Sequence, residues 1–316
     1  MIIKNVDFSN CVLASGSMSF FGSGYWYHNV YQTIVPGFEI TNDLSFVTKT
    51  TTFHYRPGNM KLDSNFQPKE YFPSCVRAYP FKGVLLNAAD LGGPGALSLF
   101  DTGNWQDVDR PFFLSFMPIY PTKAGRYIET QSFCQLLKKR LPEFNTKVGL
   151  QLNLSYPNSE YDIRHLADEA ITLLTIFRDL QIHLDLKVGL FFPVEIIMQI
   201  EEENLCDIIT IGNAVKFGSN GINWNKLFHN NNSPLSNYGG CGLSGKPLLS
   251  LISREIRYLR SLDFKMPIKA SGGITSPSDV VEYKEAGANA VEIATVLALR
   301  PWRVKSIAAM AEKVFN

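Results

Sequence analysis

The chain has 316 residues, 45% apolar and 19% charged, enough for a sizeable core in one large domain or two modest ones. Thirty basic against 29 acidic residues give a formal charge of +1, and no basic run with interleaved aromatics tracks a phosphate backbone, which argues against a nucleic-acid partner. The N-terminal run MIIKNVD lacks a signal peptide's apolar core, no window reaches the roughly 18 apolar residues of a membrane span, and the five cysteines are scattered without a CxxC pair. These features predict a cytoplasmic protein with reduced thiols, no membrane partner and no metal.

In chain order, eight short apolar segments read as strands: residues 11–15, 45–49, 112–116, 148–154, 185–190, 207–211, 267–270 and 290–294. Helical patterns fall at 131–141, 163–178, 193–202, 247–259, 277–286 and 301–314. Strands alternating with helices imply a parallel sheet. Eight such units predict an α/β fold, a single (β/α)8 TIM barrel of one domain over residues 1–316; the turn Ala14-Ser15-Gly16-Ser17-Met18 lacks the glycine fingerprint of a doubly wound sheet. Three long connections, 18–44, 50–111 and 214–246, are rich in Gly, Asn, Pro and aromatics, the type of loop that encloses a substrate.

In parallel α/β folds the carboxyl ends of the strands carry the chemistry. The strand at 148–154 runs into Asn153-Leu154-Ser155-Tyr156-Pro157-Asn158, which places two amides, a hydroxyl and a phenol there; taken alone, the same residues also make an ordinary turn. Lys49 ends the second strand and Lys187 lies within the fifth. An ammonium beside buried apolar residues costs several kcal/mol unless an anion or acceptor compensates it. One such lysine reads as a structural ion pair, whereas two, aimed at Asn153, Asn158 and Asn213, suit an electron-rich planar ligand. Ser271-Gly272-Gly273-Ile274 and the run from Gly239 to Gly245 expose backbone N–H groups after late strands, where barrels bind phosphate. A phosphate at one side with lysines and amides in the middle suits flavin mononucleotide (FMN).

Carrying these motifs in order, the chain resembles the dihydroorotate dehydrogenase family, particularly its soluble class 1 members, over nearly its whole length. Ala14-Ser15-Gly16 resembles the first flavin loop, Thr48-Lys49-Thr50-Thr51-Thr52 the TKS-T segment, and Asn87-Ala88-Ala89-Asp90-Leu91-Gly92-Gly93-Pro94-Gly95 the NSxGLxNxG substrate loop. Asn153 to Asn158 is similar to NLSCPN. The resemblance implies an FMN enzyme, a dihydropyrimidine-like substrate and a homodimer. It implies that Lys187 stabilises reduced flavin, that Lys49 contacts flavin and substrate, and that Asn87, Asp90, Leu91, Asn153, Asn158 and Asn213 face the pyrimidine. Ala14, Ser15, Gly16, Thr50, Asn87, Asn153, Gly245, Gly272, Gly273 and Thr295 are the further flavin contacts it implies, with Tyr156, Lys49 and Ser155 as the catalytic set.

Two departures bear on the reaction. Tyr156 stands where the family's base is Cys or Ser, and a phenol anion costs roughly 2 kcal/mol more than a thiolate. Asp90 replaces a glycine near the place of orotate's carboxylate; two like charges about 4 Å apart at an effective dielectric near 20 repel by roughly 4 kcal/mol. Alternatives therefore stay open: a flavin ene-reductase acting on a non-anionic substrate with Tyr156 as proton donor, a non-catalytic flavin-binding paralogue, and a phosphate-binding barrel isomerase.

Overall fold

The computed structural model describes residues 1–155, 163–229 and 232–316, with backbone alone at 163–166. Tyr156 and Asn158 therefore lie outside the described residues. Seven parallel strands form a curled sheet in the order Cys11–Leu13, Ala290–Ile293, Ile268–Ser271, Ile208–Ile211, His183–Val188, Val148–Asn153 and Phe112–Phe116. The segment around Phe46 joins the two edges through parallel bridges from Leu13 to Phe46, Val47 to Phe113 and Thr51 to Phe116. Val47 N donates to Leu13 O at 2.8 Å and Phe113 N to Phe46 O at 2.9 Å, so the ring closes as the expected barrel.

The second stave thus differs from the continuous strand expected at 45–49. Its ladder is interrupted where Ser115 N is taken by the Thr48 hydroxyl at 3.0 Å, a side chain replacing a backbone rung. The other strand positions hold within a few residues, as backbone patterning allows.

Because both faces of these strands are covered, Phe112–Phe116, Val148–Asn153 and His183–Val188 are buried throughout. Outward residues such as Leu150, Leu152, Leu184 and Leu186 join the main core under the helices. Inward residues form layers. The lowest is apolar: Val12, Val47, Phe113 and Ile208, closed from below by Phe8, whose ring lies 4.3 Å from that of Phe113. Phe8 is brought there by the N-terminal hairpin Ile2–Ile3 and Val6–Asp7. Above it lies a polar layer of Gln151, Asp185, Thr210, Lys269 and Glu292, and Lys269 Nζ sits 4.5 Å over the Phe113 ring.

The helix expected at 131–141 is the second half of Lys123–Arg140. Thr122 caps its start by accepting from Gly125 N at 3.1 Å. The first half carries no apolar period because its buried face is Arg126, Glu129 and Thr130. Arg126 pairs with Glu169 at 2.5 Å, and Glu129 accepts from Ile119 N and Tyr120 N at 2.7 and 3.0 Å.

The three long connections are more structured than loops. They supply the helix Trp26–Ile34 and a four-stranded antiparallel sheet in the order Val215–Lys216, Gly242–Gly245, Val84–Asn87 and Val76–Tyr79. That sheet lies over the carboxyl end of the barrel. No described helix is long and apolar enough to cross a membrane.

Candidate active site

A cavity of about 320 Å³ opens at the carboxyl end of the barrel, walled by strand ends below and by the antiparallel sheet and aromatic helix above. The first stave contributes Ala14, Ser15 and Gly16, and the second Lys49 and Thr50. Asn87, Asp90 and Leu91 enter from the loop after Val84–Asn87. Asn153, Lys187 and Asn213 come from the ends of the fourth, fifth and sixth staves, and Gly272, Gly273 and Thr295 from the last two. The structure thus brings fourteen of the residues singled out in the sequence to one cleft.

Two do not line it. Ser155 is buried beside the cleft, donating to Asn153 Oδ1 at 2.5 Å and accepting from Asn213 Nδ2 at 2.8 Å, so it couples two amides instead of facing a ligand. Gly245 belongs to the covering sheet, where its φ of 115° lets it approach Gly83; a Cβ there would come within 2.1 Å of Gly83 O. Its glycine character answers the close approach of the neighbouring antiparallel strand Val84–Asn87. Ser244 and Gly242 of the same run do line the cavity.

The polar floor is one hydrogen-bonded chain. Ser15 Oγ and Thr50 Oγ1 lie 3.0 Å apart, Thr50 Oγ1 and Ser115 Oγ 2.9 Å, and Asn153 Nδ2 donates to Thr50 Oγ1 at 2.9 Å. Asn153 Oδ1 accepts from Ser155 N at 3.1 Å, which carries the chain on to Asn213. Amides locked in this way present fixed donors and acceptors to a planar ligand, the condition for preorganised recognition.

Lys49 Nζ donates to Gly92 O at 2.6 Å and lies 5.0 Å over the Phe20 ring. Burial lowers its pKa to about 8, with the Asp90 carboxylate opposing that shift. The loop that brings Asp90 is clamped by backbone: Arg56 N donates to Gly93 O and Gly93 N to Arg56 O, both at 3.0 Å. Gly58 and Gly92 cross so closely that a Cβ on either would meet the other within 2.7 Å. Asp90 adopts a φ of 63°, a left-handed conformation that Asp tolerates better than most residues. Its carboxylate accepts from Leu91 N at 2.7 Å and pairs with Arg56 at 3.3 Å. Asp90 therefore borders the cleft with a cation beside it.

Lys187 ends in a network that sequence reading missed. Its ammonium pairs with Glu292 Oε2 at 2.7 Å, and Glu292 also lines the cavity. The other Glu292 oxygen meets Lys269 at 2.8 Å, and Lys269 pairs with Asp185 at 2.8 Å. Burial opposes ionisation of Glu292, but Lys187 and Lys269 outweigh it and hold the carboxyl well below the usual range. The detectable signal was period two: Asp185 and Lys187, like Gln151 and Asn153, are polar residues spaced by two within apolar strands.

The aromatic run near residue 25 divides its roles. Phe20 is fully buried beneath Lys49, whereas Tyr25, Trp26 and Tyr27 line the cavity mouth, and Tyr25 donates to Gly16 O at 2.6 Å. His183 is buried under Phe8 and His54 is exposed, away from the cleft.

The family model described as Dihydroorotate dehydrogenase matches residues 2–314. The chain is 27% identical over 235 residues to dihydroorotate dehydrogenase A (fumarate) of Lactiplantibacillus plantarum, covering 72% of this chain and 71% of that protein. It is 24% identical over 296 residues to the catalytic subunit of dihydroorotate dehydrogenase B (NAD(+)) of Anoxybacillus flavithermus, covering 92% of this chain and 82% of that one. A crystal structure of ligand-free type DHODH from Eimeria tenella shares the fold with a TM-score of 0.66 at 16% identity, covering 99% of this chain and 85% of that chain. With a family model matched from the second residue almost to the last, and a barrel whose strand ends gather the family's motifs, this chain belongs to the dihydroorotate dehydrogenase family.

Proposed function

We propose that the chain is an FMN-dependent oxidoreductase of CH–CH bonds that oxidises dihydroorotate or a related dihydropyrimidine, with residues 1–316 acting as one cofactor-binding barrel domain. The observation that carries this reading is the convergence of Lys49, Lys187, Asn87, Asn153 and Asn213 in one cleft with the Gly272-Gly273 turn. That donor set fits the group: two lysine heads and three amides offer hydrogen-bond partners to the ring system, and the turn, at φ of 123° and 75°, would supply backbone at the phosphate end.

Gly272, Gly273, Thr295 and the Ala14–Gly16 backbone would hold FMN, and Lys187 would face its pyrimidine edge. Bound FMN supplies a hydride acceptor for a ring C–H. Asn87, Asn153 and Asn213 orient the substrate ring, and Lys49 carries the charge that attracts an anionic group. Tyr156, at the family's base position, is the group proposed to exchange the substrate proton at its phenol oxygen. The covering sheet and the Tyr25–Tyr27 run limit water around these groups. A homodimer, on the resemblance alone, and a place in the cytoplasm, on the sequence features, complete the proposal.

Asp90 favours a second reading. A carboxylate bordering the ligand cleft suits an uncharged or cationic substrate, with Tyr156 donating a proton during reduction of an activated C=C bond. Anaerobic mixing of the FMN-loaded protein with dihydroorotate, followed by flavin absorbance, separates the two. Bleaching that slows in Tyr156→Phe supports dihydroorotate oxidation. A yellow protein left unbleached sends the assignment to the second reading or to a non-catalytic paralogue, and a protein that takes up no FMN overturns the flavin reading itself.

A further inference from the structure

We propose that Glu292 is a built-in counter-ion that neutralises Lys187, so that the ligand cleft meets an ion pair at this position instead of a free ammonium. The inference rests on the FMN reading and assigns a positioning role to a residue that would otherwise be one more buried carboxylate.

Three observations support it. First, both members of the pair reach the cavity wall, with Lys187 Nζ at 2.7 Å from Glu292 Oε2. Second, Glu292 is not free to turn away. Its other oxygen accepts from Lys269 Nζ and from Gln151 Nε2, each at 2.8 Å. Third, the network is closed in charge. Lys269 is shared with Asp185 at 2.8 Å, and Asp185 is held further by Gln151 Nε2 at 2.7 Å and Thr210 Oγ1 at 2.8 Å. Two ammonium groups and two carboxylates sum to zero, with Asp185 and Lys269 fully buried.

The Gln151 amide reports how the network is set. Its nitrogen lies between two carboxylates while its buried oxygen has no partner among the described residues. An amide so placed donates to both carboxylates and fixes their orientation toward the two ammonium groups. A free cation at the edge of a flavin favours its reduced, negatively charged form, whereas an ion pair has little net charge and favours it weakly. The barrel thereby keeps the lysine's hydrogen-bonding head for the ligand and withholds most of its charge.

The test is the midpoint potential of bound FMN in the full-length protein. Glu292→Gln leaves Lys187 uncompensated and is expected to raise the reduced-to-oxidised ratio at fixed potential at least tenfold, a rise of about 30 mV for a two-electron couple. Glu292→Asp, which keeps the charge, is expected to stay within threefold of the wild type. A Glu292→Gln ratio raised less than tenfold overturns the inference. Should that variant fail to fold, Lys187→Gln with Glu292→Gln exchanges the pair for two neutral amides. A ratio changed less than tenfold supports a neutral pair, and a fall of tenfold or more shows that Lys187 acted as a free cation. Failure of the wild type to bind FMN removes the parent reading, and this one with it; FMN binding with an unmoved Glu292→Gln potential overturns only the counter-ion.

Discussion

Lys49 offers the most direct test of the cleft's electrostatics. It is held beneath the Asp90 loop by Gly92 O, against the Phe20 ring, and burial lowers its pKa from 10.5 to about 8, with Asp90 acting in the opposite direction. In the unfolded chain the same lysine titrates near its ordinary value, so between the two pKa values the unfolded state binds more protons than the folded one. Stability contributed by this group is therefore lowest below pH 8 and rises with pH through the window from about 8 to 10.5. For one site with these values, raising the pH from 7 to 9.5 stabilises the ligand-free protein by roughly 2 kcal/mol. Lys49→Met has no such proton. Urea unfolding of both proteins at the two pH values isolates the term, because every other titrating group cancels in the difference. The wild type should gain about 2 kcal/mol relative to the variant as the pH rises. Equal gains would show that Lys49 is solvated in the free protein and would refute the account of the cleft as a desolvated cation site. The same proton governs the ligand: an anion should bind more weakly as the pH rises through about 8, where the ammonium is lost.

Three further perturbations address the loop, the network and the turn. Asp90→Asn keeps a residue that tolerates the positive φ while removing the charge beside Arg56. Orotate should bind about fivefold more tightly by calorimetric titration, roughly 1 kcal/mol for a partly exposed charge, and unchanged binding would show that Asp90 faces away from the ligand. Lys269→Met leaves Asp185 without its ammonium partner and Glu292 with one of its two. A loss of about 3–5 kcal/mol is expected from urea unfolding, and a loss below about 1 kcal/mol would contradict a buried closed network. Gly273→Ala places a Cβ 2.5 Å from Leu249 N at a φ of 75°. It should cost roughly 1–3 kcal/mol and weaken FMN binding in a fluorescence titration; an unchanged melting temperature would show that the turn relaxes freely.

What was legible in the sequence divides along physical lines. Strands buried on both faces read as apolar runs whatever surrounds them, which is why 112–116 and 148–154 were placed closely, and motif residues at strand ends carried the cleft with them. The second stave was misread as continuous because a rung given to the Thr48 hydroxyl leaves no mark on hydrophobic pattern. The helix Lys123–Arg140 lost its first half for a related reason: its buried face is Arg126, Glu129 and Thr130, polar residues whose partners lie in other elements. Gly245 shows a different limit: sequence pattern cannot reveal that its lack of a side chain also answers the approach of Gly83.

Lys187 marks where local pattern stops carrying information. An inward lysine in an apolar strand has the same sequence signature whether a ligand or a carboxylate compensates it, so the sequence could not choose between a flavin contact and a structural ion pair. The choice is made by Glu292, 105 residues away in sequence and three strands away around the barrel. Ring closure brings the two side chains together at the same level at which Lys187 reaches the cleft, so one residue is both ion pair and cavity wall. For a barrel the two readings are not exclusive: whatever compensates an inward charge just below the cleft also fixes the charge that the cleft presents, and a residue selected for folding at that level acts on the ligand as well.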